Sequence, residues 1–157
     1  MKNFFIFVLA LVISFLPGIF GVFFTPHGSN DVWFNALNKS ILTPDGWVFS
    51  VAWTILYTLL GIALFLVIKN NKTRKSKAVA YWAFFVQMGL NALWSYLFFG
   101  LHLVGAAFLC LVALIAVTIW MMAEFKPISK GAYYLAWPYL LWLCFALYLN
   151  GTVLFLN

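Results

Sequence analysis

GWVFSVAWTILYTLLGIALFLVI, residues 46–68, is an apolar run without a single Asp, Glu, Lys or Arg. A helix needs about 20 such residues to cross the hydrocarbon core of a bilayer. Four further runs of this kind occur at residues 4–24, 79–99, 103–123 and 132–156. Apolar and polar residues do not alternate in them as they do in the strands of a membrane barrel, so we expect helices. The sequence predicts an all-α membrane protein, one domain over residues 1–157 built as a bundle of five transmembrane helices.

The overall composition excludes most soluble classes of protein. Hydrophobic residues make up 66% of the 157 residues and charged residues only 8%, against roughly 45–50% apolar and 25% charged in ordinary soluble domains. So few polar side chains cannot cover the surface of a compact soluble domain. The net charge of +6 would suit nucleic-acid binding, but the basic residues lie in short gaps between apolar runs. We therefore expect the lipid bilayer as a partner and no nucleic acid.

The distribution of Lys and Arg predicts the orientation of the bundle. With five spans, eight of the nine basic residues fall on one side of the membrane and Lys39 falls on the other. Because cytoplasmic loops are enriched in Lys and Arg, we expect a cytoplasmic N-terminus and a long first loop, residues 25–45, on the far side. The eight residues are Lys2, Lys69, Lys72, Arg74, Lys75, Lys77, Lys126 and Lys130.

The first loop contains a short amphipathic pattern. Trp33, Phe34 and Leu37 have the spacing of one helix face, which is typical of a helix that lies on the membrane interface. An interface anchor is the favoured interpretation, and a lid over the bundle is the alternative. His27 and His102 lie in loops without a histidine partner at helical spacing, so a metal site is not expected.

No catalytic site and no obligatory cofactor are expected. Cys110 and Cys144 lie in separate apolar runs without CxxC spacing, which argues against a zinc site or a disulfide. Ser14, Ser50 and Ser95 have no acid or base beside them in the apolar runs. Since no apolar run carries a charged residue near its centre, the sequence also argues against a path for ions or protons.

The third apolar run carries polar residues along one face. Gln87, Asn91, Trp94 and Phe98 follow one another at spacings of three or four residues, the repeat of one helix face. Buried amides are costly without partners, so this face must turn to other helices or to a cavity. Two interpretations stay open: hydrogen bonds that hold helices together, and a polar strip in a ligand pocket.

Aromatic residues in the second and fifth runs favour the pocket. Trp53 and Tyr57 lie four residues apart and too deep for the aromatic belt at a membrane surface. They suit the wall of a site for a flat ligand. The fifth run adds Trp142 on one stripe and Ala146 and Asn150 on the adjacent one.

Three multi-residue patterns then carry a resemblance to a known family. They are PxxWVFxxxWxxLYxxxG from Pro44 to Gly61, QxxLNxxWSxxFFG from Gln87 to Gly100, and PYxxWxxFAxxLN from Pro138 to Asn150. Their order, the long first loop and the chain length resemble the translocator protein family, also called the tryptophan-rich sensory protein or peripheral-type benzodiazepine receptor family (TspO/MBR). The resemblance covers essentially the whole chain and is closest to bacterial members.

This resemblance implies a homodimer in the bacterial plasma membrane. It implies a receptor or sensor whose pocket between helices binds porphyrins (haem-like tetrapyrroles) and benzodiazepine or isoquinoline ligands. The residues that match the family's pocket positions are Trp47, Trp53, Tyr57, Asn91, Trp94, Trp142 and Ala146. With four more from the motifs, the predicted ligand-binding residues are Pro44, Trp47, Trp53, Tyr57, Gln87, Asn91, Trp94, Phe98, Trp142, Ala146 and Asn150.

Two alternative functions follow from the same resemblance. Bacterial members have been credited with light-dependent breakdown of porphyrin, so a porphyrin-degrading enzyme is one alternative. A transporter of tetrapyrroles or other apolar ligands is the other, although the lack of intramembrane charge counts against coupled transport. A cholesterol site of the Leu/Val–Tyr–Lys/Arg type is not expected, because no basic residue follows Tyr148.

Overall fold

The computed structural model describes residues 1–25, 32–71 and 74–157, with only the backbone described at 74–76. His27, discussed above as a loop histidine, lies outside these ranges. Every regular element among the described residues is helical. The elements are α1 (Lys2–Val22), α2 (Val32–Ala36), α3 (Gly46–Lys69), α4 (Arg74–Ser95), a π-helical segment (Tyr96–Gly100) that continues α4, α5 (Val104–Phe125), α6 (Lys130–Leu135) and α7 (Trp137–Leu156).

Four segments are long and apolar enough to cross a membrane. They are α1, α3, α5 and the stretch Lys130–Leu156, which contains α6 and α7. α4 has a sufficient length of 22 residues, but its lysines and its two amide residues make it more polar than these four. The molecule is thus all-helical over the described residues, with four candidate membrane spans and further helices.

The last apolar run forms two helices, where the sequence predicts one. Pro138 has no N–H, and in a continuous helix its ring would clash with the carbonyl group of Tyr134. α6 therefore ends at Leu135, and α7 begins at Trp137 with Pro138 in its first turn. Proline is well tolerated in a first turn, where the missing N–H would have no partner in any case.

Two glycines set the distance between α1 and α3, which pack along each other. A Cβ atom on Gly18 would lie 2.6 Å from Cε2 of Tyr57, and one on Gly61 would lie 2.7 Å from Oγ of Ser14. Non-bonded carbon atoms attract one another at about 3.5–4.0 Å, so no other residue fits at either place without a shift. This close packing fixes the ring of Tyr57, whose hydroxyl belongs to the candidate site.

α2 lies against one end of the bundle, which we call the α2 end. Trp33 meets Phe98 edge-on, with ring centroids 5.6 Å apart, and it stacks on His102, with ring centroids 3.9 Å apart. The ring centroids of Phe34 and Phe99 are 5.9 Å apart. These contacts differ from the expectation of an interface anchor, because the aromatic side chains of α2 pack on the protein itself.

The core runs through the bundle and encloses several polar side chains. Its largest buried apolar members include Phe84, Leu114 and Leu143, and a smaller cluster around Phe98 and Val153 lies at the α2 end. Polar residues buried among the described part of the chain are Ser14, Gln87, Asn91, Thr118 and Asn150. The partners of these polar groups define the candidate site.

Candidate ligand site between α3, α4 and α7

A chain of hydrogen bonds joins three helices in the interior of the bundle. The Tyr57 hydroxyl donates to Oδ1 of Asn91 at 2.8 Å, and Nδ2 of Asn91 donates to the Tyr139 hydroxyl at 3.0 Å. The Tyr139 hydroxyl donates in turn to Oε1 of Gln87 at 2.8 Å. None of these four side chains is more than 5% exposed. We call the four residues the central chain.

The local structure of α4 explains why its two amides belong to one chain. Gln87 and Asn91 are four residues apart, about one helical turn, so both side chains leave the same face of α4. Tyr57 on α3 and Tyr139 on α7 supply hydroxyl groups from two neighbouring helices. The polar strip on α4 therefore links α3 and α7, as buried amides in lipid require.

A cluster of aromatic rings lies beside the central chain, with Trp53 at its centre. Trp53 stacks on Tyr57, with the ring centroids 5.2 Å apart and an angle of 25° between the ring planes. It meets Tyr139 edge-on at 6.3 Å and Trp142 edge-on at 6.4 Å, and Phe49 meets Trp142 at 5.8 Å. These distances and angles are usual for interacting aromatic pairs. We call Phe49, Trp53, Tyr57, Tyr139 and Trp142 the aromatic cluster.

Two buried donors in this region have no hydrogen-bond partner within the described ranges. They are Nε2 of Gln87 and Nε1 of Trp142. An unpaired buried donor costs about 1–3 kcal/mol, so each one needs an explanation. A third buried group without a partner, Oγ1 of Thr118, lies on α5, which contributes no residue to the central chain or the aromatic cluster.

A groove of about 410 Å³ opens between α3 and α7 beside the aromatic cluster. Its lining consists of Ala52, Ile55, Leu56, Pro138, Leu141, Trp142 and Phe145. These side chains are apolar apart from the indole N–H of Trp142. Since Trp142 belongs both to the groove and to the aromatic cluster, the groove leads from the outer surface of the bundle to the rings.

A second group of amide and aromatic side chains lies at the α2 end. Nε1 of Trp94 donates to Oδ1 of Asn150 at 3.1 Å, and Nδ2 of Asn150 donates to the carbonyl oxygen of Val104 at 3.1 Å. Trp94 also stacks on Phe98 at 5.6 Å. The contacts of Trp33 with Phe98 and His102 complete this group. We call Trp33, Trp94, Phe98, His102 and Asn150 the end cluster.

The segment between α2 and α3 is tied to α7. The backbone N–H of Asn38 donates to Oδ1 of Asn157 at 2.9 Å, and Nδ2 of Asn157 donates to the carbonyl oxygen of Asn38 at 3.1 Å. The hydroxyl groups of Ser40 and Tyr148 share a hydrogen bond of 2.9 Å. These bonds hold the first loop at the α2 end together with the end cluster.

Comparison with known proteins places this architecture in a family. The profile of the TspO/MBR family matches residues 7–156. The chain belongs to the TspO/MBR family. This TspO/MBR chain is 39% identical to the tryptophan-rich protein TspO of Archaeoglobus fulgidus. The alignment spans 154 residues, which is 96% of this chain and 98% of the relative.

More distant TspO/MBR relatives come from bacteria and animals. The tryptophan-rich sensory protein of Cereibacter sphaeroides is 32% identical, over 94% of this chain and 92% of the relative. The translocator protein of Homo sapiens is 31% identical, over 81% of this chain and 76% of the relative. With its apolar helices and this membership, the chain is an integral, multi-pass membrane protein.

The structure brings together five of the eleven residues predicted to bind a ligand. Trp53, Tyr57, Gln87, Asn91 and Trp142 lie in the central chain and the aromatic cluster. Trp94, Phe98 and Asn150 lie in the end cluster.

The other three predicted residues have different surroundings. Ala146 is buried in the main core, at 7% exposure. Trp47 is 67% exposed, and no ring contact joins it to the aromatic cluster within the described residues. Pro44 lies in the non-helical segment before α3.

Tyr139 is a member of the site that the predicted set of binding residues omits. Its hydroxyl is the only group of the central chain that contacts both amides. The signal was present in the sequence, because Tyr139 stands three residues before Trp142 in the Pro-Tyr-x-x-Trp pattern and thus near it on the surface of α7. Phe49 was omitted as well, four residues before Trp53 on α3.

Proposed function

We propose that this TspO/MBR protein is a membrane receptor or sensor that binds a porphyrin or another flat apolar ligand between α3, α4 and α7. The proposed ligands are haem-like tetrapyrroles and compounds of the benzodiazepine or isoquinoline type. The observation that carries the proposal is the pair of unpaired buried donors, Nε2 of Gln87 and Nε1 of Trp142, beside the aromatic cluster. Ring faces supply contact area for a flat ligand, and a few placed donors orient it.

The alternative role, in which the polar strip of α4 only holds helices together, explains less. A structural network should pair its buried groups, since an unpaired group destabilises the fold. The Trp94–Asn150 pair at the α2 end fits that description. The central chain does not, because the amide nitrogen of Gln87 is left without a partner in the described structure.

The groove beside Trp142 supports a path of access from the bilayer. Trp142 lines the groove and also meets Trp53 edge-on, so a movement of its ring would change the contact between the groove and the aromatic cluster. The groove is apolar, as suits a ligand that dissolves in lipid. We infer that Trp142 swings toward the groove when the ligand binds.

Quenching of tryptophan fluorescence by protoporphyrin tests the site. We expect saturable quenching in detergent micelles and a roughly tenfold weaker affinity in Trp53→Phe and Trp142→Phe, which corresponds to about 1.4 kcal/mol. Trp120→Phe is the matched control, because Trp120 is 41% exposed on α5 and should leave the affinity unchanged. Equal affinities in all four proteins would overturn the assignment of the site.

We further propose that α4 and its π-helical continuation form a fifth span, with a cytoplasmic N-terminus. Support comes from the 22-residue length of α4 and from the eight basic residues that five spans place on one side. Reporters fused before Met1 and after Asn157 should then lie on opposite sides of the membrane. A reporter that works only in the cytoplasm should be active before Met1 and inactive after Asn157. Reporters on the same side would contradict the five-span topology.

A homodimer in the plasma membrane of a bacterium completes the proposal, by analogy with the family. Exposed apolar side chains on several helices support contact with lipid or with a second copy. The mass of the protein in micelles, measured by light scattering with the detergent subtracted, should correspond to two chains. A mass of one chain at every protein concentration would contradict the dimer.

A further inference from the structure

We propose that Gln87 is the specificity-determining residue of the site. Its side-chain NH2 group selects, among flat apolar ligands, those that carry an uncharged hydrogen-bond acceptor such as a ketone or an amide carbonyl group. This inference rests on the proposed function, since it assumes a ligand between α3, α4 and α7. Its grounds are the direction of the central chain, the burial of the chain's last group and the charge of its surroundings.

The central chain has a direction, because each amide has a donor end and an acceptor end. Tyr57 gives its one hydroxyl proton to the oxygen of Asn91, so the nitrogen of Asn91 faces Tyr139. Tyr139 accepts from that nitrogen and donates its own hydroxyl proton to the oxygen of Gln87. The nitrogen of Gln87, which carries two N–H groups, is the free end of the chain.

The opposite direction would present a different chemistry to a ligand. With the nitrogen of Gln87 donating to Tyr139 and the nitrogen of Asn91 donating to Tyr57, the free groups would be the oxygen of Gln87 and the hydroxyl proton of Tyr57. Such a site would favour ligands that donate at the position of Gln87. The direction observed therefore assigns the position to an acceptor.

The selected acceptor is uncharged because no cation belongs to the central chain or the aromatic cluster. Gln87 is completely buried, and neither the central chain nor the aromatic cluster contains a Lys, Arg or His. A carboxylate placed against Gln87 would lose its hydration without gaining an opposite charge, which is strongly unfavourable. A carbonyl oxygen loses much less hydration and can accept one of the two N–H groups of the amide.

Two tetrapyrrole probes separate recognition of the ring from recognition of the acceptor. Octaethylporphyrin carries only alkyl groups, and the corresponding oxochlorin carries one ring ketone. We expect the full-length protein in micelles to bind the oxochlorin about five- to tenfold more tightly, the range expected for one hydrogen bond to a buried donor. In Gln87→Leu this preference should disappear, so that the affinities of the two probes for the variant lie within about twofold of each other. Met88→Leu, at a neighbouring buried apolar position, is the matched control and should keep the preference.

Infrared spectroscopy gives a second measurement that needs no variant. The C=O stretching band of the bound oxochlorin should move to lower frequency in the unaltered protein, because a hydrogen bond weakens the carbonyl bond. In Gln87→Leu the band should return to its position in an apolar solvent. If Gln87→Leu does not fold, an unshifted band in the unaltered protein still overturns the role of Gln87, and a shifted band that persists in Trp142→Phe supports it.

The possible results distinguish a failure of this inference from a failure of the proposed function. An unshifted band, or a preference that survives in Gln87→Leu, overturns the role of Gln87 while the site itself stands. If the unaltered protein binds neither probe, the ligand site and the role of Gln87 both fail.

Tyr57→Phe tests the direction of the chain separately. Phenylalanine keeps a ring against Trp53 but removes the hydroxyl that fixes the amide of Asn91. The amides can then turn over, so the preference for the oxochlorin over octaethylporphyrin should fall to about twofold. An unchanged preference would show that Tyr57 does not position Gln87.

Discussion

The central chain and the end cluster both combine amide side chains with aromatic rings, yet they differ in how completely their polar groups are paired. In the end cluster, Asn150 accepts from Trp94 and donates to the carbonyl oxygen of Val104. In the middle of the bundle, Gln87 and Trp142 each leave a buried donor without a partner in the described structure. The two regions lie only one turn apart on α4, where Asn91 precedes Trp94 by three residues.

This difference separates a structural role from a binding role better than residue type does. A fully paired network stabilises and fixes the packing of helices. A network with a free buried donor is costly until something accepts from that donor. Amides and tryptophans alone would favour both regions as ligand sites, whereas the hydrogen-bond partners of these groups favour only the middle region.

The largest effect on stability is expected from Asn91→Leu, which interrupts the central chain. Leucine is similar in size but leaves the Tyr57 hydroxyl without its acceptor, and it removes one of the two hydrogen bonds of the Tyr139 hydroxyl, which still donates to Gln87. At about 1–3 kcal/mol for the unpaired Tyr57 hydroxyl and about 1 kcal/mol for the hydrogen bond that Tyr139 loses, the protein should lose about 2–4 kcal/mol and bind protoporphyrin weakly. Thermal unfolding in one detergent checks this, with Met88→Leu as the control, and equal unfolding temperatures would contradict the importance of the chain.

A smaller loss is expected from Trp94→Phe in the end cluster. The substitution keeps a ring against Phe98 but removes the N–H that Asn150 accepts. Stability should fall by about 1–2 kcal/mol, and the affinity for protoporphyrin should stay within about twofold. A loss of affinity as large as that of Trp142→Phe would show that the end cluster also contacts the ligand, and the comparison between the two regions would fail.

His102→Asn should have a modest effect and tests whether α2 is bound to the bundle. His102 has a positive φ of 56°, a conformation that asparagine adopts readily, so the variant removes mainly the stacking contact with Trp33. We expect a loss of about 0.5–1.5 kcal/mol, measured by unfolding in micelles. No loss at all would favour the interface anchor over docking on the bundle.

The smallest effect on stability is expected from Trp142→Phe, the counterpart of Trp94→Phe. The lost ring area destabilises the protein, but removal of the unpaired N–H stabilises it. The two changes should nearly cancel, to within about 1 kcal/mol, although ligand affinity falls. A loss of stability equal to that of Trp94→Phe would indicate that the indole N–H of Trp142 has a partner, and its place in the ligand site would then lack support.

Much of the architecture could be predicted from the sequence, because a helix in lipid requires a long apolar run. Residues 46–68 match α3 almost to its ends, and the face of α4 that carries Gln87 and Asn91 does turn inward. The break between α6 and α7 was missed, although Pro138 gives its physical cause. The docking of α2 on the bundle was the less favoured of two interpretations, because an amphipathic pattern shows which face is apolar and leaves open what that face contacts.

The composition of the site was harder to predict than the faces of its helices. Periodicity places Asn91 on a face but cannot name the hydroxyl groups that meet it, since those come from other helices. For this reason Tyr139 was left out of the predicted set although it contacts both amides. Trp47 entered the set through its motif, and it is largely exposed at the beginning of α3. The motif identifies a residue type at a position, whereas the packing decides what that residue touches.

The close contact between Gly18 and Tyr57 connects α1 to the proposed selection of ligands, although α1 contributes no residue to the candidate site. One edge of the Tyr57 ring lies against Gly18, and the hydroxyl group on the same ring begins the central chain. A side chain added at Gly18 would force the ring or the backbone of α1 to shift, and a shift of the ring would displace that hydroxyl group relative to Asn91. In a binding assay such a substitution would look like a long-range effect, yet only the ring of Tyr57 would separate Gly18 from the central chain. A search for variants with altered ligand preference should therefore include α1, where a substitution can change the position of the Tyr57 ring.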